Sequence, residues 1–233
     1  LGRPGLGGQR AKRLLLPLLF GMAFVVPPQA YFQVQQQMGY AGSFMDFMRL
    51  YYSGFNGFCQ AATCLRLPTW NHLWFLPYLA VYTFILLAAW RWLARPRLRA
   101  WADRAAALSG WRLIVWPWIA IGLIRALLLP RFGDTHALVG DWFNHATYGP
   151  LFACGVLLAR RPSLLARLEA LRWPALMIAC AAWAMLVGFS AHVAEWSEVP
   201  EVMRLPMRFV FAAEQWCAIV AAVQLPAVSD VEF

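Results

Sequence analysis

The chain has 233 residues, 61% of them hydrophobic and only 13% charged, and its 20 basic and 11 acidic side chains give a formal charge of +9. Soluble domains carry roughly 45–50% apolar and about 25% charged residues, so this composition argues against a water-soluble globule. The 13 Trp and 16 Phe argue against disorder, and five cysteines are too few for a disulfide scaffold.

The basic residues stand between apolar blocks of membrane length rather than in a nucleic-acid-binding patch, so the lipid bilayer is the expected partner and nucleic acid is not. Crossing about 30 Å of hydrocarbon takes about 20 apolar residues as helix. In chain order the candidate runs are 14–33, 72–90, 113–130, 143–159, 174–193 and 209–225, and none alternates in the way a membrane barrel strand does. The expected fold is all-α: a polytopic transmembrane helical bundle of about six spans, forming a single integral-membrane domain.

The fourth run is the weakest, because its uninterrupted apolar part begins only at Ala146. Charge parity argues that it crosses. Arg3, Arg10, Lys12 and Arg13 precede the first span, arginines 91, 95, 97, 99, 104 and 112 separate the second and third, and Arg160, Arg161, Arg167 and Arg172 separate the fourth and fifth. The intervening loops hold only Arg49, Arg66, Arg131, Arg204 and Arg208. By the positive-inside rule the start of the chain and the arginine-rich loops face the cytoplasm, and the expected location is a bacterial inner membrane. The start has no secretory h-region or cleavage site, and both ends are abrupt, so a fragment of a longer membrane protein is expected.

Titratable chemistry gathers at the opposite face, where His72, His136, His145, His192, Asp46, Asp134, Asp141, Glu195, Glu198 and Glu201 all fall. His72 follows Asn71 at the mouth of the second span, with Trp70 and Trp74 around it and Pro77 just inside. Trp at a membrane edge is expected as an anchor, whereas an imidazole beside an amide at a proline-broken helix mouth suits acid–base work. Asp141, Asn144 and His145 cluster beside Trp142 and Phe143, a donor and acceptor set on an aromatic platform that suits a hydroxyl-rich ligand. With Asp134 and His136 they could hold a metal, but their spacing is not that of a helical zinc motif, and no metal is expected.

Two charges lie within spans. Arg125 and Glu214 are costly there, so each is expected to face a cavity or the other. Arg10 and Arg13 are first an orientation signal, and they also make a cluster able to clamp phosphate. Cys59 and Cys64 could bridge in an oxidising compartment. Glu201, Arg204 and Arg208 are spaced for a helical ion-pair ladder.

The run Asn71 to Leu76 (NHLWFL) resembles the His-Leu-Trp-Phe-Leu segment of the membrane acyltransferase 3 family, which includes periplasmic-glucan succinyltransferases and O-antigen acetylases. Arg10-Ala-Lys-Arg13 is similar to that family's inner Arg-x-x-Arg motif, and Asp141 to Gly155 (DWFNHATYGPLFACG) is similar to its glucan-modifying branch. The resemblance implies acyl transfer from cytosolic acyl-CoA, acetyl or succinyl, to a hydroxyl of a periplasmic or cell-envelope carbohydrate. Arg10 and Arg13 would hold the coenzyme's phosphates. His72 and His145 would act as acid or base, with Asn71, Trp74, Asp141 and Asn144 on the acceptor and Arg125 and Glu214 along the acyl path. The family's histidine on an earlier span has no counterpart here. The rival expectation is a transporter or flippase for a glycan or polar solute, with a non-catalytic membrane subunit as a third.

Overall fold

The computed structural model describes residues 6–60, 63–93, 95–193 and 199–223, with side chains from residue 12 onward except those of 60, 63, 90 and 91. Glu195 and Glu198 lie outside the described residues, as does the side chain of Arg10. The protein is an all-α, polytopic membrane protein. Among the described residues five helical segments are long and apolar enough to cross a bilayer: Lys12–Met38, Asn71–Ala89, Arg112–Phe132, Arg172–Ser190 and Glu201–Ala222. Leu16, Leu19, Phe24, Trp116, Leu127, Met177 and Trp183 are all more than half exposed on these segments, as lipid-facing side chains are. The chain divides into two compact units, Leu1–Trp90 and Arg91–Phe233, and each is described by itself.

The first unit begins with α1 (Leu6–Phe20), a π-helical turn (Gly21–Val25) and α2 (Val26–Met38), which run on as one long helix. In the π register Val26 N–H donates to the Gly21 carbonyl, so the next two residues would donate to Met22 and Ala23. Those residues are Pro27 and Pro28, which have no N–H, and both carbonyls are orphaned. Helix α3 (Phe44–Ser53) supplies the missing donors. The Tyr51 hydroxyl donates to the Met22 carbonyl at 2.9 Å, and lies equally near the Thr69 carbonyl, while Tyr52 donates to Ala23 at 2.5 Å. Burial pushes the Tyr51 hydroxyl up to about 12, with the neighbouring Tyr52 adding to the effect, so it stays a donor throughout the neutral range.

Helix α3 is held in place by Ser43, whose hydroxyl caps its first turn, and by its aromatic face. Phe47, Tyr51 and Phe58 pack with Val26, Ala30, Val34 and Leu67, while Tyr31 adds a tilted ring contact 5.6 Å from Phe47 and Tyr40 an edge contact 5.3 Å from Phe58. A hairpin of β1 (Phe58–Gln60) and β2 (Thr63–Leu65) is closed by a Cys59–Cys64 disulfide between directly opposed residues. A short 3₁₀ turn, Asn71–Leu73, then leads into α4 (Phe75–Leu93).

The second unit contains α5 (Pro96–Ala106), α6 (Arg112–Phe132), α7 (Trp142–Leu158), α8 (Pro162–Glu169), α9 (Arg172–Ser190) and α10 (Glu201–Ala222). Helix α10 packs on both α6 and α9 around Ile114, Ile121, Ala175, Ala179, Ala212, Trp216 and Val220. Alanines along α9 and α10 let the backbones approach closely. Gly122 does the same on α6: a Cβ there would fall 2.3 Å from the Phe209 ring. Trp118 donates to the Phe209 carbonyl at 2.8 Å and Trp216 to the Leu113 carbonyl at 2.9 Å, so α6 and α10 are antiparallel. Leu113 is the residue whose carbonyl Pro117 leaves without an intrahelical donor, and the Trp216 indole fills that place.

The expected spans shift in three places. The first continues through its Gln-rich end to Met38, and the last begins at Glu201 rather than 209 because the Glu201, Arg204 and Arg208 turn carries on the same helix. Arg204 and Arg208 both pair with Glu201, at 3.1 and 2.5 Å. The fourth run, 143–159, forms α7, whose 17 residues rise only about 25 Å, so it falls outside the group of full-length spanning helices. It nevertheless joins the same two ends as α6. Its start lies beside Arg125 through Phe143, and the Arg161 that follows its end pairs with Asp103 of α5.

Candidate functional site

Two places carry the residues singled out by sequence, one in each unit. In the first, Asn71 takes a left-handed φ of 40°, a conformation Asn adopts more readily than most residues, and its N–H donates to the Thr69 hydroxyl at 3.3 Å. The turn this creates presents Asn71 and His72 as exposed side chains and sends Leu73 inward against Gly21, where a Cβ would fall 2.3 Å from the Leu73 Cδ1 atom. Trp74 is half-buried and edge-on to Tyr78 at 5.6 Å.

The second place is the end of the second unit where α6 stops and α7 starts. Asp141 is the N-cap of α7 and accepts from the Asn144 N–H at 3.4 Å. The Asn144 side-chain amide then donates one hydrogen to Asp141 Oδ2 and the other to Asp134 Oδ1, each at 2.8 Å. An amide thus separates two carboxylates that would otherwise repel, and the helix N-terminus favours the charge of Asp141. The same Asp134 oxygen meets His136 Nε2 at 3.2 Å. His145 Nε2 lies 2.6 Å from the Leu138 carbonyl. A carbonyl can only accept, so Nε2 carries hydrogen and Nδ1 is the basic nitrogen of the neutral ring.

Burial reorders the sequence assignments. Asp141 and Asn144 are each 1% exposed, and through these bonds they brace the loop. Asp134 and His136 are more open, with side chains 45% and 34% exposed. They form an imidazole–carboxylate dyad that sequence spacing did not separate from its neighbours. Its geometry depends on left-handed backbone at His136 and Leu138, beside Gly133 and Gly140, and only the glycines signal this in sequence.

Of the two expected arrangements, a cavity or a mutual pair, the pair is absent: Arg125 makes no ion pair with Glu214. Its guanidinium lies over Phe143 and Phe211, with ring centres 5.4 and 5.0 Å away, and its Nε is buried with no hydrogen-bond partner. Asp134, Tyr148 and Glu214 are within electrostatic reach. Arg13, the other charged candidate, is exposed on α1. Among the described residues no group of three or more His, Cys, Asp and Glu side chains is placed to hold a metal ion.

No family model matches the chain, no curated protein is similar to it, and no solved structure matches it.

Proposed function

We propose that the protein is a membrane-bound acyltransferase that moves an acyl group from cytosolic acyl-CoA to a hydroxyl of a periplasmic or cell-envelope carbohydrate. The observation that carries this reading is the polarity of the second unit. Arginines 95, 97, 99, 104, 160 and 161 gather at one end and the Asp134–His136–Asn144–Asp141 network at the other, with apolar helices between. An anionic donor suits the first end and a hydroxyl acceptor the second. His136, oriented by Asp134 through Nε2, offers Nδ1 as a base for the acceptor hydroxyl, and His145 and the exposed His72 are further candidates. The proposed setting is a bacterial inner membrane with the arginine-rich end in the cytoplasm.

Purified protein in liposomes, given radiolabelled acetyl- or succinyl-CoA and a periplasmic glucan, should place label on the glycan. His136→Gln should abolish that labelling while leaving thermal unfolding unchanged. The second reading, a transporter or flippase, is favoured by one observation, the buried and unpartnered Arg125 Nε inside a span. Movement of unmodified glycan across the liposome without label transfer would establish it in place of the first.

A further inference from the structure

A cavity of about 670 Å³ opens at the arginine-rich end of the second unit, lined by Trp92, Arg95, Pro96, Arg97, Leu98 and Trp101. It sits where α5 begins. Pro96 starts that helix, its first turn holds no acidic residue, and the Arg95 side chain does not cap it. First-turn N–H groups have no carbonyl ahead of them within a helix, and the macrodipole adds positive potential there. Two guanidiniums stand beside those donors. The acid on the same helix, Asp103, is taken by Arg161, and neither Arg95 nor Arg97 makes an ion pair among the described residues. Two indoles belong to the lining: the Arg95 guanidinium lies 5.9 Å from the Trp92 ring centre, and Trp101 has Arg104 stacked on it at 5.6 Å. The combination is uncompensated positive charge, a helix N-terminus and two flat apolar faces in one concavity. A multi-oxygen anion satisfies the guanidiniums and backbone donors together, and indole faces take a ring or a glyceryl chain.

We propose that this cavity binds a phosphate-bearing ligand, with the phosphate on Arg95, Arg97 and the first turn of α5 and the uncharged portion against Trp92 and Trp101. The phosphate can come from a soluble coenzyme or from an anionic phospholipid headgroup, and the site stands whether or not the chain transfers acyl groups.

The full chain in phosphatidylcholine nanodiscs is dialysed against radiolabelled coenzyme A, and the chain in nanodiscs containing phosphatidylglycerol is analysed by native mass spectrometry for retained lipid. Arg95→Gln with Arg97→Gln should weaken one of these two ligands by about tenfold or more, because charge-assisted bonds to phosphate are lost. Arg66→Gln with Arg112→Gln removes the same charge from exposed positions outside the cavity and should leave both ligands bound as before. Trp92→Leu keeps every charge and should still weaken the same ligand. Loss of coenzyme A assigns the soluble source, and loss of phosphatidylglycerol assigns the lipid. The proposal is overturned if the wild-type chain retains neither ligand, or if the two double variants bind both ligands equally well.

Discussion

Both units contain a spanning helix interrupted by proline, and they repair the damage in different ways. In the first unit the Met22 and Ala23 carbonyls, orphaned by Pro27 and Pro28, are met by phenols from α3, an amphipathic helix outside the spans. In the second, the Leu113 carbonyl orphaned by Pro117 is met by an indole on another spanning helix, and the carboxylates at its end are tied by Asn144. A carbonyl left unsatisfied away from water is costly, so each repair stabilises its unit to the extent that water cannot reach the carbonyl in its place. The first unit relies on its cap and the second on its own helices. Disturbing the cap should therefore loosen the first unit alone, whereas disturbing an interior side chain should loosen the second.

The largest effect is expected at Asn144. Replacing it with Leu leaves buried Asp141 and neighbouring Asp134 without their shared donor, which should cost about 3 kcal/mol or more in thermal unfolding followed in detergent. An unchanged transition would show that the network does not stabilise the fold. Next comes Trp216→Phe, which keeps one aromatic ring but removes the donor to Leu113 and should cost about 1–3 kcal/mol. In a Pro117→Ala background residue 117 regains an N–H, so the same change should cost clearly less. A double-mutant cycle measures that difference, and additive costs would refute the proline account.

Tyr51→Phe should destabilise the first unit by about 1–2 kcal/mol, because its hydroxyl is buried against two carbonyls. The same hydroxyl gives a pH signature. Its folded value is raised to about 12, so its contribution is intact below pH 10 and is lost as pH rises from there through 12. Hydrogen exchange in residues 22–52 should accelerate across that window in wild type, with a smaller change in Tyr51→Phe. Tyr52→Phe should have the smallest effect, about 0.5 kcal/mol or less, because its side chain is mostly exposed and water can replace the hydroxyl.

The spans were legible because long apolar runs leave little choice in lipid, and they were misjudged where helix and hydropathy part company. The helix from Glu201 keeps its backbone bonds through a charged turn, so a hydropathy reading starts it too late. Helix α7 is borderline for the opposite reason, since its Asn144, His145 and Thr147 are polar while its path still joins both ends of the unit. At the candidate site the cluster of Asp141, Asn144 and His145 was visible from spacing alone. That the first two would be buried braces was not, because an N-cap and a binding loop use the same residues. The partnership of Asp134 with His136 was hidden in a loop whose left-handed residues, His136 and Leu138, are not ones that announce such a turn.

The slot at Gly122 has a mechanical consequence. With the Phe209 ring seated against bare backbone, and Trp118 and Trp216 pinned to carbonyls across the seam, α6 and α10 cannot ratchet past each other without unseating that ring. Helix α7 is differently placed: its buried residues, Phe143, Asn144 and Thr147, all lie near its start, and farther along it adds the partly buried Leu151, Leu157 and Leu158 to the surrounding core. If this unit opens and closes during a working cycle, α7 is the leaf of the hinge and the α6–α10 pair its fixed post.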